Sequence, residues 1–458
     1  MPRMRLAQIA EAIHGTYSGQ PDTLFSDYHF DSRQLAANSL FFALVSAAND
    51  GHKYLPDIAR IPGAGAVVEQ GRKETWPLPT VTVQDTRQAY QDLARYVRAS
   101  LPDIRYIAIT GSAGKTTCKS FLHQLLSPLT QAYCAPKNWN NWQGMPFALL
   151  KMPASAQHAV FELAMSSPGL GEIDLLAEIL RPQLAVILNV YPVHLEFLKT
   201  LKNVATAKTE ILNYLRADNL ALINGDIPLL RETVKGLPGK KVYFGYKPDN
   251  DVVFLPCQAD NGTYLLPMTF HDTTLAFPTS LPSQIHQENL LVALTAALHL
   301  GFPAAALQQT APKVTPLDQR GRIFQVNGME IVDDCYNANP MAVKKLLAWA
   351  TRYYSEPIYL VLGDMLELGD QAEKYHYDTG KYLAELGFQQ LITVGPLARE
   401  IARGAMENGL PAGNILSFTD SLAAGQALLK LARPGQVWIF KASRGIALEK
   451  ACSALLSK

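Results

Sequence analysis

Short apolar runs separated by amphipathic stretches recur along the whole chain. Continuous runs at 106–110, 159–165 and 184–190 predict strands that are buried on both faces, and helical patterns separate several such runs. This alternation is typical of an α/β fold with mostly parallel sheets. Residues 251–285 instead alternate apolar and polar positions and are rich in turn residues, so they predict an antiparallel extension.

The same alternation divides the chain into three sections of similar architecture. Because 458 residues exceed a typical single domain, we expect three α/β domains, at 1–102, 103–312 and 313–458. An amphipathic helix is expected at 1–15, and an apolar helix is expected at 289–302, where a glycine stops it.

Composition narrows the classes of function. Hydrophobic residues make up 48% of the chain and the net charge is only +1, so no overall field attracts nucleic acid or an anionic membrane. No signal peptide is evident, and no apolar run approaches the roughly 20 residues of a membrane span. The five cysteines form no C-x-x-C pair, which disfavours a zinc cage. We expect a cytoplasmic protein with no nucleic-acid partner.

A loop of small residues, TGSAGKTT at 110–117, lies between a predicted strand and a helical pattern. Such a loop presents backbone N–H groups and a helix N-terminus to an anion. Lys115 adds a charge suited to outer phosphates, and Thr116 or Thr117 offers a hydroxyl to magnesium. The loop predicts a nucleotide phosphate site. Its residues are Gly111, Ser112, Ala113, Gly114, Lys115, Thr116 and Thr117.

Three further residues are candidates for a metal site. A phosphate-bound magnesium ion usually needs a carboxylate, and Glu162 ends an apolar run at the strand edge where parallel sheets build sites. His194 follows another predicted strand, and Lys208 lies in a helical stretch with small and apolar neighbours that favour partial burial. Taken alone, the three also fit a strand-end glutamate, a structural histidine and a solvated lysine.

Together these motifs resemble the Mur ligases, ATP-dependent enzymes that form amide bonds in peptidoglycan synthesis. The resemblance covers nearly the whole chain in the expected order. It is carried by FDSRQLAANSLFFAL (30–44), NDGHKYL (49–55), TGSAGKTT, Glu162 with Ser166 and Ser167, the segment from His194 to Lys208, GR (321–322), DDCYNANP (333–340), LGDMLELG (362–369) and FKASRG (440–445). KNWNNWQGMP (137–146), YNANP and GDMLELG most resemble the branch that adds D-alanyl-D-alanine.

The resemblance implies a UDP-substrate-binding N-terminal domain, a central P-loop ATPase-like domain and a Rossmann-like C-terminal domain. It implies that ATP, UDP-N-acetylmuramoyl-tripeptide and D-alanyl-D-alanine are the substrates, that two Mg²⁺ ions take part, and that the protein is a monomer. Thr116, Glu162 and His194 would bind metal, and Lys208, carbamylated by carbon dioxide, would join them.

The other implied roles concern the substrates. Lys115, His194, Lys208 and Arg322 would be the catalytic residues. Asn289, Arg322 and Asp334 would contact the nucleotide, although Asn289 alone survives from the family's adenine motif. The substrate contacts would be made by Ser32 and Arg33 near UDP, Asn140 and Asn141 in the acceptor channel, and Asn337 and Asn339 near the dipeptide.

Three alternatives remain at this point. Another Mur-type or folylpolyglutamate-type ligase would use the same loop, but the N-terminal section resembles a UDP-sugar domain. A P-loop ATPase switch would bind a macromolecule, and no basic tract or repeat supports that. An inactive homologue conflicts with the joint presence of Lys115, Glu162, His194 and Lys208.

Overall fold

The structure is a computed structural model that describes residues 3–47, 49–72, 75–166, 169–260 and 262–457. Three large sheets follow one another along the chain, and most of their strands are parallel. The α/β class and the mostly parallel sheets predicted from the apolar runs are therefore confirmed.

The first sheet has five strands, and only its first pair is antiparallel. In sheet order its strands are Thr16–Ser18, Thr80–Val83, Gly65–Glu69, Ser39–Phe42 and Asp27–His29. Smaller elements are the strand pairs Met4–Arg5 with Leu24–Phe25 and Val45–Ser46 with Asn49–Asp50, the helices Leu6–Ala12, Leu55–Ile58 and Thr86–Ser100, and the 3₁₀ turns Ser32–Gln34 and Gly51–Tyr54. The helix expected at 1–15 is shorter, because Met4–Arg5 pairs as a strand instead.

The central sheet has ten strands and begins with seven parallel ones. In order these are Ala132–Cys134, His158–Glu162, Arg105–Thr110, Leu184–Ile187, Leu220–Asn224, Lys240–Gly245 and Val252–Phe254. The predicted antiparallel extension is confirmed: Thr263–Phe270 continues the sheet antiparallel and pairs with both Gln258–Asp260 and Thr273–Thr279.

Helices pack on both faces of the central sheet. They are Lys115–Leu126, Gly144–Leu150, Glu172–Leu180, Leu195–Leu198, Leu201–Thr209, Pro228–Thr233, Gln284–His299 and Ala304–Thr310, with 3₁₀ turns at Glu210–Leu212 and Ala311–Lys313. The prediction that one helix starts at 289 is wrong. It starts at Gln284, because its first, polar turn buries His286 and Gln287 and so belongs to the packed helix.

The last sheet has six strands, of which the first pair is antiparallel. In order they are Arg322–Val326, Met329–Asp334, Val437–Lys441, Ile358–Gly363, Gln390–Val394 and Ile415–Phe418. Its helices are Pro340–Tyr353, Ala372–Glu385, Ala398–Glu407, Ser421–Leu431 and Glu449–Leu456, with 3₁₀ turns at Gly369–Gln371, Ala412–Asn414 and Arg444–Ile446. None of the described helices is both long enough and apolar enough to cross a membrane.

Strand register brings distant loops together. In the central sheet Ile109 pairs with Glu162 and Thr110 with Ile187, so the loops after these three strands meet at one carboxyl edge. In the last sheet Asp334 pairs with Lys441 at the corresponding edge. The candidate site lies between these two edges.

Candidate functional site

A cavity of about 510 Å³ separates the carboxyl edges of the central and last sheets. Its walls contain many of the residues predicted from the sequence. These are Ser112, Ala113, Gly114, Lys115, Thr116, Thr117, Asn140, Asn141, Glu162, His194, Asn289, Asp334, Asn337 and Asn339. Residues more than 200 positions apart in the chain thus share one space.

The small-residue loop is held in shape by the segment that follows the neighbouring strand Leu184–Ile187. Asn189 accepts hydrogen bonds from the backbone N–H groups of Ser112 and Ala113, at 3.1 and 2.9 Å. Lys115 Nζ folds back over the loop and donates to the Gly111 carbonyl at 2.8 Å. The helix Lys115–Leu126 then begins, so its N-terminus and the lysine charge face the cavity together.

Gly114 is required by both backbone angle and space. Its φ is +81°, and a Cβ atom there would lie 2.4 Å from Asn289 Oδ1. We expect Gly114→Ala to weaken ATP binding by at least about 10-fold, since a left-handed alanine costs roughly 1–2 kcal/mol before any clash. Titration calorimetry with ATP measures the effect. The matched control is Gly435→Ala, which has the same φ and nothing within 4 Å of the added methyl group.

A buried carboxylate lies beside the loop. Thr116 Oγ1 donates to Glu162 Oε2 at 2.7 Å, and Asn140 Nδ2 donates to Glu162 Oε1 at 2.8 Å. The structure thus distinguishes Thr116 from Thr117, because the Thr116 hydroxyl is the one bonded to the carboxylate. Lys119 Nζ, itself buried, lies 4.0 Å from Glu162 Oε2.

Charges keep this carboxylate ionised. Burial by itself raises the pKa of Glu162, but the positive charges of Lys115 and Lys119 outweigh it and hold the pKa below its ordinary value. Burial also lowers the pKa of Lys115, and the Glu162 charge opposes part of that decrease. An ionised carboxylate and a hydroxyl at the edge of a phosphate loop form a ligand pair suited to Mg²⁺.

Lys208 is the most unusual charged residue near this edge. Its side chain is fully buried, and its Nζ has no hydrogen-bond partner among the described residues. Burial, with a smaller contribution from the Lys115 charge, lowers its pKa to about 7. The sequence predicted only partial burial. A buried, unpartnered amine with a pKa near 7 is costly for folding, and its uncharged fraction at neutral pH is available for chemistry.

This cost predicts a pH-dependent stability difference. The pKa of Lys208 is about 7 in the fold against 10.5 in the unfolded chain, so the penalty is complete below pH 7 and disappears as the pH rises towards 10.5. In CO₂-free buffer we expect Lys208→Met to raise the unfolding free energy at pH 7 by on the order of 4 kcal/mol. Denaturant unfolding should show this gap closing near pH 10.5. A gap that stays constant with pH would contradict the assignment.

His194 meets a carboxylate from the last sheet's side of the cavity. Its Nδ1 lies 2.6 Å from Glu367 Oε2, and both residues line the cavity. The hydrogen bond from His194 lowers the pKa of Glu367. Glu367 stands in the LGDMLELG segment, which the sequence analysis quoted without giving this residue a role.

The last sheet contributes a second set of charges. Asp334 forms an ion pair with the buried Lys441, whose Nζ also donates to the Asn337 carbonyl at 3.0 Å. The Arg320 guanidinium lies 3.8 Å from the centre of the Tyr336 ring. His286 Nε2 lies 2.7 Å from the Arg320 carbonyl oxygen, so the helix after the central sheet braces this turn.

Several predicted residues are placed elsewhere. Arg322 does not line the cavity: its guanidinium pairs with Asp318 and lies over Phe324, because its strand directs it away. Arg320, two residues earlier, lines the cavity. Arg33, exposed and paired with Asp31 at 2.8 Å, lies in the first section with Ser32, and neither lines the cavity.

Two other predicted residues also form hydrogen bonds that stabilise the local backbone. Asn339 caps the helix Pro340–Tyr353 by accepting from the Ala342 N–H at 2.9 Å, and Asn141 accepts from the Gly144 N–H at 2.8 Å. Neither Gly111 nor Lys208 lines the cavity. The Gly111 carbonyl accepts from Lys115 Nζ, and the Lys208 side chain is fully buried. Ser167 falls outside the described residues.

Sequence reasoning missed four charged residues of this region. These are Lys119, Arg320, Glu367 and Lys441. Three of them stand within or directly beside quoted motifs, so proximity to a motif was the available signal. Lys119 lies one helical turn after Lys115. Its sequence context is that of an ordinary surface lysine, and only the structure shows that it is buried.

Comparison with known families agrees with this geometry. The Mur ligase middle domain matches residues 109–297, and the Mur ligase glutamate ligase domain matches residues 319–444. The two matches include both walls of the cavity.

Known proteins resemble the chain over its full length. The UDP-N-acetylmuramoyl-tripeptide--D-alanyl-D-alanine ligase of Bacillus subtilis (strain 168) is 30% identical, over 100% of this chain and 99% of that protein. A crystal structure of MurF from Acinetobacter baumannii covers 100% of both chains with a TM-score of 0.90 and 25% identity. MurF from Thermotoga maritima in complex with ADP covers 96% of this chain and 99% of its own, with a TM-score of 0.84 and 24% identity. The chain therefore belongs to the Mur ligase family.

Proposed function

We propose that this Mur ligase joins D-alanyl-D-alanine to UDP-N-acetylmuramoyl-tripeptide at the expense of ATP. The products are UDP-N-acetylmuramoyl-pentapeptide, ADP and phosphate. The observation that carries the proposal is the meeting, in one cavity, of the phosphate loop and the Thr116–Glu162–Asn140 cluster. The full-length similarity to a Bacillus subtilis ligase of that name supports this choice of substrates.

The residues present fit the Mg²⁺ ions that this chemistry needs. Thr116 and Glu162 would hold one ion, and His194 would help to hold a second. The unpartnered Lys208 amine fits carbamylation, in which a neutral amine and CO₂ give a carbamate and a proton. That change converts a buried neutral amine into a negatively charged, carboxylate-like metal ligand. When bound, the ions neutralise the charge of the transferring phosphoryl group.

The residues of the chain position the phosphates. The loop amides and the N-terminus of the helix Lys115–Leu126 would cradle the nucleotide, and Lys115 would reach its outer phosphates. Asn289 adjoins the loop at Gly114 and Asp334 lines the cavity from the last sheet, which supports the proposal that both contact the nucleotide. Arg320 lines the cavity, so it is our candidate for the nucleotide contact that the resemblance implied for Arg322.

The phosphate serves to activate a carboxylate. A carboxylate is a poor acyl donor because its leaving group would be oxide. Attack of the tripeptide carboxylate on the γ-phosphate gives an acyl phosphate, whose leaving group is inorganic phosphate. The amine of D-alanyl-D-alanine then attacks, and a tetrahedral intermediate collapses to the amide. Phosphoryl transfer of this kind depends on positioning and charge neutralisation.

The acyl phosphate must be kept from water. Asn140 and Asn141 line the central side of the cavity and Asn337 and Asn339 the opposite side, so the two substrates would meet between the sheets. Ser32 and Arg33, in the first section, would contact the UDP group.

We retain the three-domain division at 1–102, 103–312 and 313–458, a cytoplasmic location and a monomer as parts of the proposal.

A reconstituted reaction tests the proposal. Purified protein is incubated with ATP, Mg²⁺, UDP-N-acetylmuramoyl-tripeptide and D-alanyl-D-alanine, and phosphate release and product mass are followed together. We expect a product heavier by one dipeptide residue, with phosphate released only when every component is present. Turnover with a single amino acid, or with folate and glutamate, would show that the protein is a ligase for a different class of substrate. Hydrolysis independent of any acceptor would favour an ATPase switch.

A further inference from the structure

A loop from the last sheet reaches across the cavity to the central sheet. It follows the strand Ile358–Gly363 and carries Glu367, whose Oε2 lies 2.6 Å from His194 Nδ1. The two residues are linked to different sheets, so this hydrogen bond spans the cavity. Any separation of the sheets would break it.

The backbone on both sides is set for this contact. His194 and Glu367 both have left-handed backbone angles, with φ of 54° and 65°. Such angles are costly for residues other than glycine and persist where the surrounding structure enforces them. The Glu196 N–H donates to the Glu367 carbonyl at 3.5 Å, and a Cβ at Gly369 would lie only 3.0 Å from Glu196 Cα. The two turns therefore interlock closely.

The hydrogen bond determines which histidine nitrogen carries the proton. An ionised carboxylate can only accept, so His194 Nδ1 must donate, and its Nε2 keeps a free lone pair. Metal-binding histidines commonly donate their second ring N–H to a carboxylate or carbonyl, which fixes the ring and raises the basicity of the ligating nitrogen.

We propose that Glu367 is a positioning residue that sets the tautomer and ring orientation of His194 for metal binding. Because Glu367 comes from the last sheet, the His194 metal position is complete only while the two sheets are together. Metal binding and closure of the cavity are thereby coupled. This inference rests on the proposed function, which assigns His194 to a metal.

A competing explanation is simple charge. Glu367 also interacts electrostatically with Lys115 and Lys208, so its negative charge alone could matter. Glu367→Gln separates the two explanations, because the amide oxygen still accepts from Nδ1 while the charge is removed. Glu367→Ala removes both. Glu196→Gln is the matched control, since it removes an exposed charge two residues from His194 that makes no bond to the ring.

The test measures Mn²⁺ binding by electron paramagnetic resonance in the presence of ADP. We expect Glu367→Ala to weaken one Mn²⁺ position by about 10-fold or more, Glu367→Gln to keep most of the affinity, and Glu196→Gln to match the wild type. Nitrogen-15 NMR of the histidine rings supplies a second readout. In the metal-free protein the Nδ1–H form of His194 should be lost in Glu367→Ala and kept in Glu367→Gln.

Three results would overturn the inference. Wild-type Mn²⁺ affinity and tautomer in Glu367→Ala would show that the carboxylate does not position His194. Equal losses in the Ala and Gln variants would show that charge acts rather than orientation. Absence of Mn²⁺ binding by the wild type would remove the metal site itself. Product formation in the same preparations separates the claims: pentapeptide synthesis with normal Mn²⁺ binding by Glu367→Ala refutes the positioning role and leaves the proposed function intact.

Discussion

Replacing Lys115 by alanine is expected to lower kcat/KM for dipeptide addition on the order of 10³-fold. The lysine is held over the phosphate loop by its hydrogen bond to the Gly111 carbonyl, and it interacts with the buried Glu162. Negative charge builds on the outer phosphate oxygens as the carboxylate attacks. A preorganised cation in a site shielded from water stabilises that charge far more than it would in water.

The same change should affect nucleotide binding less than turnover. The backbone amides of the loop and the helix N-terminus remain after truncation, so we expect the affinity for ADP to fall only about 10-fold. Steady-state kinetics and calorimetry on the same preparation measure both quantities. Lys430→Ala, which removes an exposed side chain of the helix Ser421–Leu431, is the control for loss of a lysine. Equal losses in ADP affinity and in kcat/KM would mean that Lys115 only binds.

Lys208→Ala is expected to lower ligase activity by at least about 100-fold. The reason is the buried, unpartnered amine: if it reacts with CO₂ it becomes a metal ligand that alanine cannot replace. Removal of dissolved CO₂ should also lower wild-type activity, and bicarbonate should restore it. Bicarbonate should not restore the variant.

The helix of Lys208 supplies its own control. Lys202 lies on the same helix with its side chain exposed, so Lys202→Ala should keep full activity and full sensitivity to CO₂. Mass spectrometry of the intact protein under CO₂ supplies a second readout, because one CO₂ added to a neutral amine increases the mass by about 44 Da. Wild-type activity that is unaffected by CO₂ removal would contradict the carbamate.

Lys208→Met and Lys208→Ala together test whether Lys208 lowers the stability of the fold while supporting activity. The methionine variant should fold more stably than the wild type and yet be inactive. A residue that destabilises the fold while supporting activity is the usual pattern for a functional site. The account of Lys208 therefore predicts opposite signs for stability and turnover.

The elements that place the site could be predicted from the sequence because they follow local rules. The apolar runs at 106–110 and 184–190 predicted two buried strands, and the structure has Arg105–Thr110 and Leu184–Ile187 at these places. Both runs are continuous and apolar, so they indicate buried strands without information from the rest of the chain. Three-residue edge strands such as Thr16–Ser18 were missed, because they are exposed and too short to show a period.

The charged interior of the site could not be predicted in the same way. Lysine is hydrophilic, so nothing local showed that Lys119 and Lys208 would be almost fully buried. The contact between His194 and Glu367 depends on how two sheets pack, and no pattern within either segment contains that information. Arg320 precedes the strand Arg322–Val326, and Arg322 begins it. Which of the two side chains lines the cavity depends on the direction of that strand in the fold.

The central claim is that ATP is spent on activating the tripeptide carboxylate. It is tested most directly by labelling both oxygens of that carboxylate with ¹⁸O and analysing the released phosphate. If an acyl phosphate forms and the amine displaces phosphate, each phosphate carries one ¹⁸O and the new amide keeps the other. Phosphate free of ¹⁸O, released together with pentapeptide, would contradict the account.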